Sequence, residues 1–152
     1  MNFLNRTWAE IDISALIHNF KIIKKSASDS KIMAVVKANA YGHSVTEIAP
    51  VLEKEGADYF AVSNIEEALQ LRDIGINKPV LILGYTPVNY AKQLAENNIS
   101  QCVYSLEYAK LLSEQAIKDN VTVTVHIKLD TGMSRLGFDC RTDSLFEIDS
   151  AI

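Results

Sequence analysis

Two strings hold the side chains best suited to chemistry. The first is Ala34-Val35-Val36-Lys37-Ala38-Asn39-Ala40-Tyr41-Gly42-His43. Lys37 closes an apolar run that reads as a strand, and α/β sheets and barrels place their chemistry at the carboxyl ends of strands. Partial desolvation of an amine favours its neutral, nucleophilic form, which is what a Schiff base requires. Small Ala38, Ala40 and Gly42 would let a planar ligand approach the backbone closely. The plainer alternative is an ordinary solvated lysine at a strand end.

The second string runs from His126 to Phe138 and contains Lys128, Asp130, Gly132, Met133 and Arg135. Lys128 ends a strand-like run as Lys37 does, so both should project from one rim. Arg135 follows across a turn that Gly132 makes feasible. Two neighbouring cations repel unless one is neutral, modified or paired. Arginine keeps its proton, so Lys128 is the member that would change. The plainer alternative has Asp130 neutralise Arg135 in a local salt bridge, with Asp130-Thr131-Gly132 a simple turn.

The elements that must hold these strings alternate along the chain. Ser14–Lys24 carries Leu16, Ile17, Phe20 and Ile23 at helical spacing. Lys31–Val36 reads as a strand, residues 37–43 as a loop, and Val45, Ile48, Ala49 and Leu52 as a helix face. Ala57–Val62 is a second strand, and Ser63 with Glu66 forms a capping box that opens a helix ending near Gly75. Then come strand 79–83, helix 88–96, strand 99–103, helix 105–118 and strand Val121–Lys128. A last helical pattern surrounds Leu145, Phe146 and Ile148. Strict alternation implies parallel βαβ units with right-handed crossovers. That leaves an open doubly wound sheet or part of a (β/α)8 barrel. A complete barrel needs about 200–400 residues, and Ala151-Ile152 carries no helix-closing residue. The expectation is therefore α/β, about five βα units from the amino-terminal portion of a truncated (β/α)8 barrel.

Composition narrows the function classes. The chain has 152 residues, 48% of them apolar, with six glycines and three prolines, which excludes disordered and collagen-like classes. A net charge of −4 offers no bulk attraction to nucleic acid or anionic membrane. Lys21, Lys24 and Lys25 are the one basic cluster and read as a solvated helix face. The longest uncharged apolar stretch, 79–91, is broken by Pro79, Gly84 and Pro87, so no bilayer span is expected. Glu10 and Asp12 fall where a secretion signal needs apolar residues. Cys102 and Cys140 read as reduced thiols of a cytoplasmic protein. His18, His43 and His126 show no metal-site spacing, and His43 reads as a loop stabiliser.

The two strings, in this order, resemble those of alanine racemase, a pyridoxal-phosphate enzyme family. Val36–His43 is similar to its cofactor-lysine signature and Lys128–Gly137 to its second hallmark. Trp8–Asp12 with Leu16, His18 and Asn19 resembles the family's opening, whereas Ser44 departs from the usual glycine. The resemblance implies that Lys37 forms the Schiff base and acts as one of two bases. It implies that Tyr41 bonds the cofactor phosphate and that Lys128 becomes an N6-carboxylysine. Arg135 would pair with that carbamate and with the cofactor's phenolic oxygen, and would contact substrate. Met133 would line the substrate carboxylate site. On this reading residues 1–152 are the amino-terminal fragment of a cofactor-binding barrel. The second base, a tyrosine, would come from a carboxy-terminal β domain of the partner in a homodimer, so the fragment itself should be inactive. The activity would interconvert L- and D-alanine and supply D-alanine for peptidoglycan. Alternatives are a serine/alanine racemase, a non-catalytic pyridoxal-phosphate-binding barrel, and an aldolase-like barrel in which Lys37 attacks a carbonyl substrate directly.

Overall fold

The computed structural model describes residues 7–140 and 145–152. Asp12 is extended and its carboxylate accepts the Ala15 N–H at 3.0 Å, which starts helix α1 (Ile13–Ala27). Phe20 is the residue this helix buries, while Ile23, expected on the same face, is 57% exposed. The helix leans on its neighbour along a different line. Lys24 Nζ donates to the Glu55 carbonyl at 3.2 Å and Lys21 pairs with Glu55 at 3.4 Å. Two of the three clustered lysines thus hold α1 to the helix that ends at Glu55.

Five strands follow: β1 (Met33–Val35), β2 (Tyr59–Val62), β3 (Val80–Ile82), β4 (Ile99–Val103) and β5 (Val125–Ile127). All pair in parallel and in the order of the chain. That order separates the two architectures left open by alternation. A doubly wound sheet reverses direction at a switch point, whereas a barrel wall adds each strand beside the last. This sheet is a barrel wall. The connecting helices are α3 (Val45–Glu55), α4 (Ile65–Asp73), α5 (Ala91–Glu96) and α6 (Leu106–Lys118), and α7 (Leu145–Ala151) packs against α6. A 3-10 turn at Val88–Tyr90 leads into α5.

Alternation along the strands divides the core. Phe60, Val62, Val80, Ile82, Ile99 and Val103 pack with the helices, and Ala61, Leu81 and Cys102 form a smaller cluster with Met33 and Leu83. Phe60, Leu71, Ile82, Leu94 and Ile99 are almost wholly enclosed. Each such side chain is worth about 1.5–3 kcal/mol relative to exposure.

Three sequence expectations need correction. The fifth strand begins at Val125, not Val121. Val121 and Val123 are half-buried against the core, but the ladder with β4 starts only where Gln101 N–H donates to the Thr124 carbonyl. The cap of α4 is Asn64 rather than Ser63: Asn64 is extended and its Oδ1 accepts the Glu67 N–H at 2.9 Å. Residues 37–41 form not a loop but a compact element, α2 (Lys37–Tyr41), wound with the opposite hand to the other helices.

Candidate functional site

Lys37 stands half-buried just past β1, where Val36 N–H still donates to the Ala61 carbonyl at 2.9 Å. Four successive residues then lie in the left-handed region: Ala38, Asn39, Ala40 and Tyr41, with φ of 51°, 53°, 53° and 55°. Gly42 follows at 85°. A left-handed turn costs roughly 1–2 kcal/mol per L-residue, because Cβ crowds the next carbonyl. Such strain persists only where the surroundings over-determine it, and it concentrates at functional sites.

The restraints here are specific. Gly42 N–H donates to the Ala38 and Asn39 carbonyls, both at 3.1 Å, and Ala40 N–H to the Val36 carbonyl at 2.9 Å. His43 Nδ1–H donates to the Ala40 carbonyl at 3.0 Å, in keeping with its expected role as a loop stabiliser. Asn39 Oδ1 accepts the Val45 N–H, and Glu67 Oε1 accepts the Ala38 N–H, each at 2.8 Å. Tyr41, at the end of the turn, is 58% exposed.

The second string is built around a buried carboxylate. Lys128 is half-buried at the carboxyl end of β5, and its N–H donates to the Val103 carbonyl at 2.8 Å. Strands β6 (Leu129–Asp130) and β7 (Phe138–Asp139) pair and bracket the turn between them. Asp130 is 7% exposed, and its carboxylate accepts the N–H groups of Gly132 at 2.9 Å, Ser134 at 3.0 Å and Arg135 at 3.1 Å. The salt bridge from Asp130 to the Arg135 guanidinium, expected from sequence, is therefore replaced by a bond to the Arg135 backbone. Among the described residues Arg135 enters no ion pair, and its side chain is exposed, as is that of Met133. Gly137 completes the turn at φ 127°, and a β-carbon there would meet Asp130 N at 2.8 Å and Lys128 O at 2.9 Å.

Parallel pairing places Lys37 and Lys128 at the carboxyl ends of β1 and β5, on one rim but at its two edges. Four strand spacings of about 4.8 Å separate them by roughly 19 Å along the sheet. Between them the rim is aromatic. Tyr104 stacks on Tyr108 at 4.9 Å, Tyr85 meets Tyr108 edge-on at 5.8 Å, and Tyr108 Oη donates to the Thr86 carbonyl at 2.7 Å. Burial raises the Tyr108 phenol well above its ordinary value, and the neighbouring tyrosines add to that. Burial likewise pushes the Cys102 thiol up, opposed by the charge of Lys128. Cys102 and Cys140 are both free thiols.

Sequence reasoning singled out neither Glu67, nor Asn39, nor the Tyr85–Tyr104–Tyr108 cluster. Tyr85 lies three residues past β3 and Tyr104 one residue past β4, which could have drawn attention to them. The reach of Glu67 across to β1 has no local signature. Among the described residues no group of three or more His, Cys, Asp or Glu could hold a metal, and no helix is long and apolar enough to cross a membrane. The exposed donors of the rim, the Tyr41 hydroxyl and the Arg135 guanidinium, suit an anionic group, and the amine of Lys37, a half-buried residue, suits an aldehyde. Small Ala38 and Gly42 are exposed beside it. This donor set fits pyridoxal phosphate.

Fold and rim together define a (β/α)-barrel protein whose polar equipment is gathered at the carboxyl ends of its strands. Residues 11–148 match the family model of the alanine racemase N-terminal domain, and the chain belongs to that family. A curated alanine racemase from Clostridium perfringens is 51% identical over 131 residues, covering 86% of this chain and 34% of that protein. A solved alanine racemase from Clostridium difficile 630 superposes with a TM-score of 0.88 at 41% identity, covering 99% of this chain and 40% of its own. A histidine racemase from Leuconostoc mesenteroides superposes at 0.83 with 38% identity, covering 91% and 37%. The chain thus spans about a third of the length of the curated relatives it matches.

Proposed function

We propose that this chain is the amino-terminal part of a pyridoxal-phosphate-dependent racemase that interconverts L- and D-alanine in the cytoplasm and supplies D-alanine for peptidoglycan. Residues 1–152 form the first part of its cofactor-binding barrel. The observation that carries the reading is the run of left-handed residues directly after Lys37, in a chain of this family. Strain held in place by so many bonds marks a segment whose position matters.

When bound, pyridoxal phosphate supplies an electron-accepting ring that stabilises the charge left by a departing α-proton. Lys37 Nζ would hold the cofactor at its aldehyde carbon and, as a free amine, would hold and return a proton on one face of the substrate's α-carbon. The Tyr41 hydroxyl would donate to the phosphate. The Arg135 guanidinium would donate to the phenolic oxygen and contact substrate, while Met133 would line the place of the substrate carboxylate. Lys128 Nζ, by adding carbon dioxide as the neutral amine and losing a proton to solvent, would become an anionic N6-carboxylysine and turn repulsion from Arg135 into a charge-assisted bond. Inversion needs a second base on the opposite face, which we assign to later residues of the partner in a homodimer.

The similarity to a histidine racemase supports a second reading of the substrate, and serine is a third candidate. The test is loss of optical activity from L-alanine, L-serine and L-histidine with the full-length protein. Alanine should be consumed fastest and Lys37→Ala should abolish turnover. Equal or faster racemisation of another amino acid transfers the assignment to it, and no racemisation of any of them ends the racemase reading.

A further inference from the structure

Helix α4 opens with Asn64 at its N-cap, and the third helical residue is Glu67. In an ordinary capping box the carboxylate at this third position turns back to the N–H of the cap residue itself. Glu67 instead bridges two strand ends. Its Oε2 accepts the Ser63 N–H at 2.7 Å, just past β2, and its Oε1 accepts the Ala38 N–H at 2.8 Å, just past β1. Ala38 is the first residue of the left-handed turn, and its amide belongs to the peptide plane that joins it to Lys37.

We propose that Glu67 is a positioning residue for Lys37: by holding the Ala38 N–H against the rim of β2, it fixes the plane from which the lysine side chain departs. Both bonds are charge-assisted, the stronger class of protein hydrogen bond. One carboxylate oxygen serves each strand, so the pair of oxygens sets the spacing of the two rims at this level. Two substitutions separate this role from simple helix capping. Glu67→Gln keeps the length but has a single acceptor oxygen, and its amide nitrogen would face an N–H. Glu67→Asp keeps the charge but is one methylene too short to span both amides. The proposal rests on Lys37 being the cofactor lysine.

The experiment uses the full-length protein, stripped of cofactor and then mixed with pyridoxal phosphate. Amide hydrogen exchange at residues 38–42 is read before mixing, and growth of the visible band of lysine-bound cofactor after it. Glu67→Gln should speed exchange at 38–42 at least tenfold, leave β2–β4 unchanged, and slow cofactor capture at least fivefold. Glu67→Asp should move both in the same sense with an unfolding midpoint close to that of the parent, which covers the case in which the glutamine variant folds poorly. Unchanged exchange in both variants overturns the brace. Faster exchange with unchanged capture overturns the positioning role. If the parent protein itself never binds cofactor through Lys37, the cofactor reading fails, and the exchange data alone then decide whether Glu67 holds the turn.

Discussion

Asn39 Oδ1 accepts the Val45 N–H at 2.8 Å, so the left-handed turn after Lys37 caps helix α3, whose own N-cap Ser44 makes no side-chain capping bond. Turn and helix are therefore one unit. Asparagine is also among the few side chains that tolerate left-handed backbone. Asn39→Ala should cost about 1–2 kcal/mol, measured by denaturant unfolding of the full-length protein, and Asn39→Asp should restore most of it. An alanine variant within a few tenths of the parent would show that the bond is dispensable.

Gly137 allows the segment carrying Arg135 to fold back on Lys128. An alanine there meets backbone rather than a yielding side chain, at a φ of 127°. Gly137→Ala should destabilise by about 2 kcal/mol or more. Proteolysis should show the 131–136 segment opening before the sheet does. Full stability in the alanine variant would mean that the backbone relaxes at this point without strain.

The buried phenol of Tyr108 links stability to alkaline pH. Its folded value is raised, so the unfolded chain ionises first, near the ordinary tyrosine value of about 10. Its contribution is complete below that value and is lost as pH climbs through the raised one. Tyr108→Phe removes the bond to the Thr86 carbonyl and should cost about 1 kcal/mol at neutral pH. Its melting temperature should then fall less steeply than the parent's above pH about 10. Parallel curves for the two proteins would locate the alkaline loss elsewhere.

Much of the wall could be read from periodicity. Val45, Ile48, Ala49 and Leu52 are all buried as their spacing implies, and β4 has the expected bounds of 99–103. Order along the sheet was not legible, since alternation of strands and helices suits open sheets and barrels alike. Val121 and Val123 misled because half-buried packing and strand pairing leave the same every-other-residue pattern. The turn at 38–41 was hidden because alanine carries no mark of a positive φ. Glu66 looked like the capping partner by its spacing from Ser63, yet the cap sits one residue later. That shift brings Glu67 into the third helical position, from which it reaches Ala38, a contact made only once β1 and β2 are side by side. Lys37, Tyr41, Lys128, Met133 and Arg135 came from two strings that local spacing preserves. Asn39, His43 and Asp130, which brace them, lie in the same strings, whereas Glu67 reaches them from elsewhere in the fold.

The cofactor chemistry proposed for this barrel depends on a single amine, Lys37 Nζ. Full-length protein loaded with pyridoxal phosphate should be reduced with borohydride, digested and mapped by mass spectrometry. One pyridoxyl group per chain is expected, on Lys37, and none on Lys128. A stoichiometric adduct on any other lysine, with Lys37 unmodified, would contradict it.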